Sequence, residues 1–170
     1  ELFSREFMKY FMKQRLVSFG DDFDVVDESG QKRFFFDSKI GGFRPRIIVE
    51  DANANRIAQL KKKLFSFRPT YLFFRESKQE AIIFKKAFSF RKSFVINSPN
   101  SDPIVIVGSF VEHSYKFFRK QRLIAESSKK WFTAKDTYGI DIEAGEDPVL
   151  LLSAAVVIDI LCHPKRDSGF

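Results

Sequence analysis

Apolar residues in this chain come in short runs, interrupted at regular intervals by turn formers. Phe34-Phe35-Phe36, Arg46-Ile47-Ile48-Val49, Phe94-Val95-Ile96 and Ile104-Val105-Ile106-Val107 are rich in aromatic and β-branched residues, as strands are. Breakers separate the runs at Gly20-Asp21-Asp22, Asp27-Glu28-Ser29-Gly30, Asp51-Ala52-Asn53-Ala54-Asn55, Phe67-Arg68-Pro69-Thr70, Glu76-Ser77-Lys78, Asn97-Ser98-Pro99-Asn100-Ser101-Asp102-Pro103 and Lys135-Asp136-Thr137. Many runs are apolar at consecutive positions, so alternation alone does not say which face is inside.

The pattern repeats. Arg15-Leu16-Val17-Ser18-Phe19 running to Phe23 aligns without gaps with Lys63-Leu64-Phe65-Ser66-Phe67 to Tyr71, Lys86-Ala87-Phe88-Ser89-Phe90 to Phe94, and Lys130-Trp131-Phe132-Thr133-Ala134 to Tyr138. Each has a cation, two mainly apolar residues, a small hydroxyl, and an aromatic eight positions after the cation. Lys39-Ile40-Gly41-Gly42-Phe43-Arg44-Pro45 and Val107-Gly108-Ser109-Phe110 are degenerate copies. Units thus begin near residues 16, 40, 64, 87, 108 and 131, a spacing of about 21 to 24 residues that suits two strands and two turns. Six such units predict twelve strands, over about residues 10–143.

The last segment has a different period. From Pro148 to Cys162 the chain holds no turn residue, Asp147 and Pro148 form a helix start, and Pro164 supplies a stop. A helix over about 147–162 that is hydrophobic all round must be buried. Fifteen residues span roughly 22 Å, short of the roughly 30 Å hydrocarbon core of a bilayer, so a transmembrane span is not expected. A closed barrel needs filling and the helix needs covering. The predicted fold is therefore mainly β: one domain over residues 1–170, a twelve-stranded closed barrel of six degenerate hairpin units around one central hydrophobic C-terminal helix.

This arrangement, with Lys63-Leu64-Phe65-Ser66-Phe67-Arg68-Pro69-Thr70-Tyr71 and Ser128-Lys129-Lys130-Trp131-Phe132 as landmarks, resembles the LURP-one-related family over about residues 8–167. Met12-Lys13-Gln14-Arg15-Leu16, Val105-Ile106-Val107-Gly108-Ser109-Phe110, Asp136-Thr137-Tyr138-Gly139 and Glu146-Asp147-Pro148-Val149-Leu150 carry the same likeness. The resemblance implies the tubby C-terminal fold, a twelve-stranded barrel around a central helix that is shared with phospholipid scramblases. It implies less about function, since tubby domains bind phosphoinositide headgroups, scramblase relatives work at membranes, and one fold hosts many functions. The chain departs from that family pattern in extra cations and aromatics at Phe43-Arg44-Pro45-Arg46 and Lys116-Phe117-Phe118-Arg119-Lys120.

Charge adds a location to this picture. The 170 residues carry a net +7, yet residues 61–92 alone hold ten basic and two acidic residues, a net +8, and the remainder nets −1. On adjacent hairpins, Lys61, Lys62, Lys63, Arg68, Lys85, Lys86, Arg91 and Lys92 are predicted to meet at one barrel end as an anion site. The plainer reading is that these cations solvate an exposed wall and protect it from edge pairing.

Other chemistry is sparse. The single cysteine, Cys162, excludes an intramolecular disulfide, and the N-terminal residues show no apolar secretory segment, so a cytoplasmic location, peripheral to a membrane, is expected. Of the two histidines, His113 lies beside Glu112 and Ser114, but strand neighbours face opposite ways, which makes it a surface histidine and not part of a triad. His163 and Cys162 alone make no zinc site, and Asp159 is expected to be solvated or paired with a cation at the barrel mouth. Trp131 and Phe132 are expected in the core. The sequence predicts a non-enzymatic binding module for anionic lipid headgroups, with no cofactor, no metal and no catalytic residues. The alternative is a structural or protein-interaction barrel without a small ligand, and nucleic-acid binding ranks third. An enzyme would require a deep polar pocket around His113 or Asp159.

Overall fold

A computed structural model describes residues 4–15, 20–39, 43–88, 90–129 and 137–163, with Lys39 described for its backbone only. It contains twelve strands: β1 (Phe7–Gln14), β2 (Phe23–Asp27), β3 (Lys32–Lys39), β4 (Arg46–Asp51), β5 (Arg56–Lys62), β6 (Thr70–Arg75), β7 (Lys78–Lys85), β8 (Ser93–Asn97), β9 (Ile104–Ser109), β10 (Ser114–Arg119), β11 (Arg122–Ser128) and β12 (Thr137–Glu143). One helix, α1 (Pro148–Cys162), follows them. Every strand pairs antiparallel with its chain neighbour, and β1 pairs with β12, closing the sheet into an up-and-down barrel. The first strand begins at Phe7, slightly ahead of the expected residue 10, because Phe7, Met8 and Lys9 pair with Glu143, Ile142 and Asp141 of β12.

The repeat is physical. Asp27 Oδ1 accepts from the amides of Ser29 and Gln31 at 2.9 and 3.0 Å, and Asp51 Oδ1 accepts from those of Asn53 and Asn55 at 2.9 Å each. At the other end of the hairpins the Lys63 amide donates to the Thr70 carbonyl and the Lys86 amide to the Ser93 carbonyl, both at 2.8 Å. Where it is described, at Lys63-Leu64-Phe65-Ser66 and Lys86-Ala87-Phe88, the repeated stretch therefore lies in loops that join odd strands to even ones. Residues 16–19, 40–42, 89 and 130–136 fall outside the described residues, as do Trp131, Phe132 and Pro164.

Alternation left open by the runs is settled by burial. Ile104 and Ile106 of β9 are buried in the core while Val105 and Val107 face out, and Ile47 and Val49 of β4 turn inward on either side of Ile48. The wall contributes bulky residues such as Phe23, Phe36, Phe73, Phe94 and Phe117. Against them α1 presents Ser153, Ala154, Ala155, Val156 and Val157, all fully buried. Small side chains on the helix leave room for large ones on the wall at interior density.

Asp147 caps α1 by accepting from the Leu150 amide at 3.2 Å, and Pro148 occupies the first turn, where its missing N–H costs nothing. Arg75 at the end of β6 grips both Asp147 oxygens, at 2.7 and 2.8 Å. The helix enters at the end bearing the even-to-odd turns. It leaves at the opposite mouth, among the loops that carry the repeated cations. No helix among the described residues is long and apolar enough to cross a membrane.

Candidate functional site

Three loops of the exit mouth carry exposed phenylalanines. Phe65 and Phe67 of the β5–β6 loop and Phe88 and Phe90 of the β7–β8 loop are fully exposed, and Phe43 of the β3–β4 loop is 87% exposed. Leaving a Phe side chain in water forfeits about 1.5 to 3 kcal/mol of burial. Phe65 and Phe88, equivalent by repeat, also adopt left-handed backbone with φ of 57° and 56°, a region that bulky residues avoid. The loops are tied together: the Lys62 amide donates to the Pro45 carbonyl and the Lys85 amide to the Pro69 carbonyl, both at 3.1 Å. The result is a continuous ledge. Apart from Phe43, its aromatics were not singled out by the sequence, where Phe-rich segments look like core.

The predicted cations distribute around this ledge unevenly. Lys85, Arg91 and Lys92 line one cavity of about 560 Å³ together with the β9 end, Phe110, Leu161 and Cys162. Lys63, Lys86 and Arg68 stand on the loops beside the phenylalanines, and Arg68 lies 3.7 Å above the Phe84 ring. Lys62 ends β5 half-buried, while Lys61 turns to the outer wall, 4.9 Å from the centre of the Phe74 ring. Of the eight, three share a cavity and the rest spread over the rim and wall. None of them forms an ion pair among the described residues, whereas at the helix entrance Arg75 pairs with Asp147 and Glu80, Arg119 with Glu146, and Arg5 and Arg122 with Glu143. Positive charge is therefore compensated at one end of the barrel and concentrated at the other. The last carbonyls of α1 point toward the basic end, which suits the helix dipole. Burial pushes the Cys162 thiol up, and nearby Lys85 and Lys92 only partly offset it.

A second cavity, of about 360 Å³, opens at the same mouth between Gln14, Val111, His113, Lys129, Tyr138, Asp159 and His163. Asp159 and His163 are one helical turn apart, with the His163 amide donating to the Asp159 carbonyl at 2.7 Å. His163 Nε2 lies 2.9 Å from the Phe110 carbonyl, so that nitrogen carries the proton and donates. His113 sits in the β9–β10 turn with φ of 50°. Its ring is stacked between Tyr138, at 4.3 Å, and His163, at 4.4 Å, and its Nδ1 faces Asp159 Oδ1 at 3.6 Å. Gly108 makes this turn possible, because a Cβ there would fall 2.6 Å from Tyr115 Cα. Burial, with help from His163 and Lys129, pulls the His113 pKa down to about 4, so the ring is neutral at pH 7.

Two expectations are corrected here. His113 is not a surface histidine, since its side chain is only 12% exposed. Asp159 lies at the barrel mouth as expected but is not solvated, since the residue is 3% exposed and lies against His113. Both follow from barrel closure, which folds the β9–β10 turn over the helix end.

An up-and-down twelve-stranded barrel filled by a single apolar helix defines the class as a closed antiparallel barrel around a central helix. The chain belongs to the LURP-one-related family, whose signature spans residues 8–159. It is 24% identical over 162 residues to the uncharacterized protein YxjI of Bacillus subtilis (strain 168), covering 95% of this chain and 98% of that protein. An X-ray structure of a protein from Arabidopsis thaliana superimposes with a TM-score of 0.65 at 14% identity, covering 90% of this chain and 91% of that one, a likeness of fold.

Proposed function

We propose that the chain is a non-enzymatic membrane-docking module, cytoplasmic and peripheral, whose exit-mouth rim settles on an anionic lipid surface. The observation that carries this reading is the ledge of five exposed phenylalanines interleaved with cations that form no ion pair among the described residues. Magnitudes favour the combination. Each cation near an anionic membrane contributes about 1 kcal/mol, so four give about 4 kcal/mol and only about millimolar binding. Four phenylalanines half-inserted into the headgroup boundary add about 1 kcal/mol each, bringing the sum to the scale of micromolar binding. The cavity lined by Lys85, Arg91 and Lys92 supports this reading, since three cations around one cavity suit a headgroup phosphate.

Vesicle co-sedimentation tests the proposal with phosphatidylcholine alone and with phosphatidylserine added. Binding is expected only with the anionic lipid and is expected to fall as salt rises. Lys86→Glu with Arg91→Glu should abolish the anionic preference, and Phe67→Ser with Phe90→Ser should weaken binding at least about tenfold, with circular dichroism unchanged. Binding indifferent to these four positions, or no binding to anionic vesicles at low salt, overturns the proposal in favour of a protein-interaction barrel.

A further inference from the structure

The sequence contains two histidines, and the fold brings both to one place. Together with Asp159 they form a group whose potential ligand atoms all lie within 4.8 Å of one another. From this geometry we infer that His113, Asp159 and His163 form a divalent transition-metal site of the zinc type, with its remaining coordination positions open to the cavity at the helix exit.

Several features make the group more than a chance meeting. Asp159 and His163 are spaced i and i+4 at the helix end, which places both on one face. His113 reaches them from a separate element, the β9–β10 turn. His163 Nε2–H is held by the Phe110 carbonyl, which fixes the tautomer and leaves the Nδ1 lone pair for a metal. Such a backbone carbonyl behind a histidine is the usual outer support of a metal ligand. The separation of 3.6 Å between His113 Nδ1 and Asp159 Oδ1 is too long for a hydrogen bond. It matches two metal bonds of about 2.05 Å meeting at about 120°.

Wider separations need adjustment. Two bonds of about 2.1 Å span at most about 4.2 Å, so a pair near the 4.8 Å limit must close by roughly half an ångström or more. The His113 and His163 rings are nearly parallel, at 8° and 4.4 Å, so an ion in the plane of one lies out of the plane of the other, and ligation by both requires His163, just beyond the last helical residue, to turn its ring towards the ion. Negative charge from the Asp159 carboxylate and the terminal α1 carbonyls favours a cation here. Lys129 in the cavity wall opposes them and disfavours ions bound by charge alone. Nitrogen ligands with one carboxylate select zinc, cobalt or ferrous ions over magnesium and calcium. Gln14 also lines the cavity, which has space for a water or small anion to complete the coordination.

The test uses the full chain after chelator treatment, titrated with zinc by calorimetry and with cobalt by visible absorption. One equivalent of zinc and a cobalt spectrum with ligand-field bands between about 500 and 650 nm, typical of few ligands and nitrogen–oxygen donors, are expected. His113→Ala and His163→Ala should each weaken zinc binding by more than about 10-fold, and Cys162→Ser should leave it unchanged. Asp159→Asn, which keeps the side-chain volume, guards against loss of fold, and each variant's melting curve without metal verifies it. No saturable zinc binding, or affinity unchanged in folded His113→Ala, overturns the inference. Dependence on Cys162 would overturn it as well.

Discussion

Phe65 and Phe88 show how a residue can be costly to the fold and still be kept in the same place twice. Each occupies left-handed backbone that glycine adopts without penalty, and each side chain is fully exposed. Phe88→Gly is therefore expected to raise stability by about 1 kcal/mol in chemical denaturation while lowering vesicle binding. A loss of stability would show that the ring packs somewhere in solution. This opposition between fold and surface could not be read from the sequence. A Phe-rich repeat has the composition of a core strand, and only the backbone path shows Lys63-Leu64-Phe65-Ser66-Phe67 to be loop. His113 and Asp159 were hidden for another reason: they are far apart in the chain, and their meeting depends on where the β9–β10 turn lands after closure.

Elements were more legible where local chemistry decides them. Asp147 and Pro148 announce the start of α1, and the Asp27 and Asp51 turns announce hairpin ends, because capping and turn bonds involve residues within a few positions. The inward face of the strands was not legible, since Val95 and Ile48 are nearly as buried as their core-facing neighbours. The helix start also has a long-range support, the two-pronged contact from Arg75. Asp147→Ala removes the cap and leaves Arg75 with Glu80 alone, so it is expected to cost about 1 to 3 kcal/mol, more than an ordinary surface cap. Equilibrium unfolding of this variant beside Arg75→Ala separates the two contributions, because the cap survives in the second.

At the scale of the molecule, the seam between β1 and β12 is the join that makes the sheet a barrel. Glu143 at the end of β12 accepts from Arg5 Nε and Arg122 Nη2, both at 2.6 Å. The two guanidiniums hold its carboxyl down at about 2, from an ordinary 4.5. A carboxyl with a depressed folded pKa contributes stability that is complete above its unfolded value and disappears on acidification. Stability should thus fall as pH drops from about 4.5 towards 2, and Glu143→Gln should flatten that part of the pH–stability curve measured by urea unfolding.

The filling of the barrel also has a consequence for the order of events in synthesis. Every strand leaves the ribosome before α1 does, so six hairpins wait without the helix that occupies their interior. They cannot finish as an empty cylinder and have the helix pushed through afterwards, because the wall side chains would already have collapsed on one another. Pairing of β1 with β12 joins the earliest and latest strands, a contact of long sequence separation that is slow to form. Folding must therefore be completed by wrapping, with the sheet rolling around α1 and the seam zipping last. A nascent chain stalled before Pro148 should remain an open, chaperone-dependent sheet, whatever the quality of its individual hairpins.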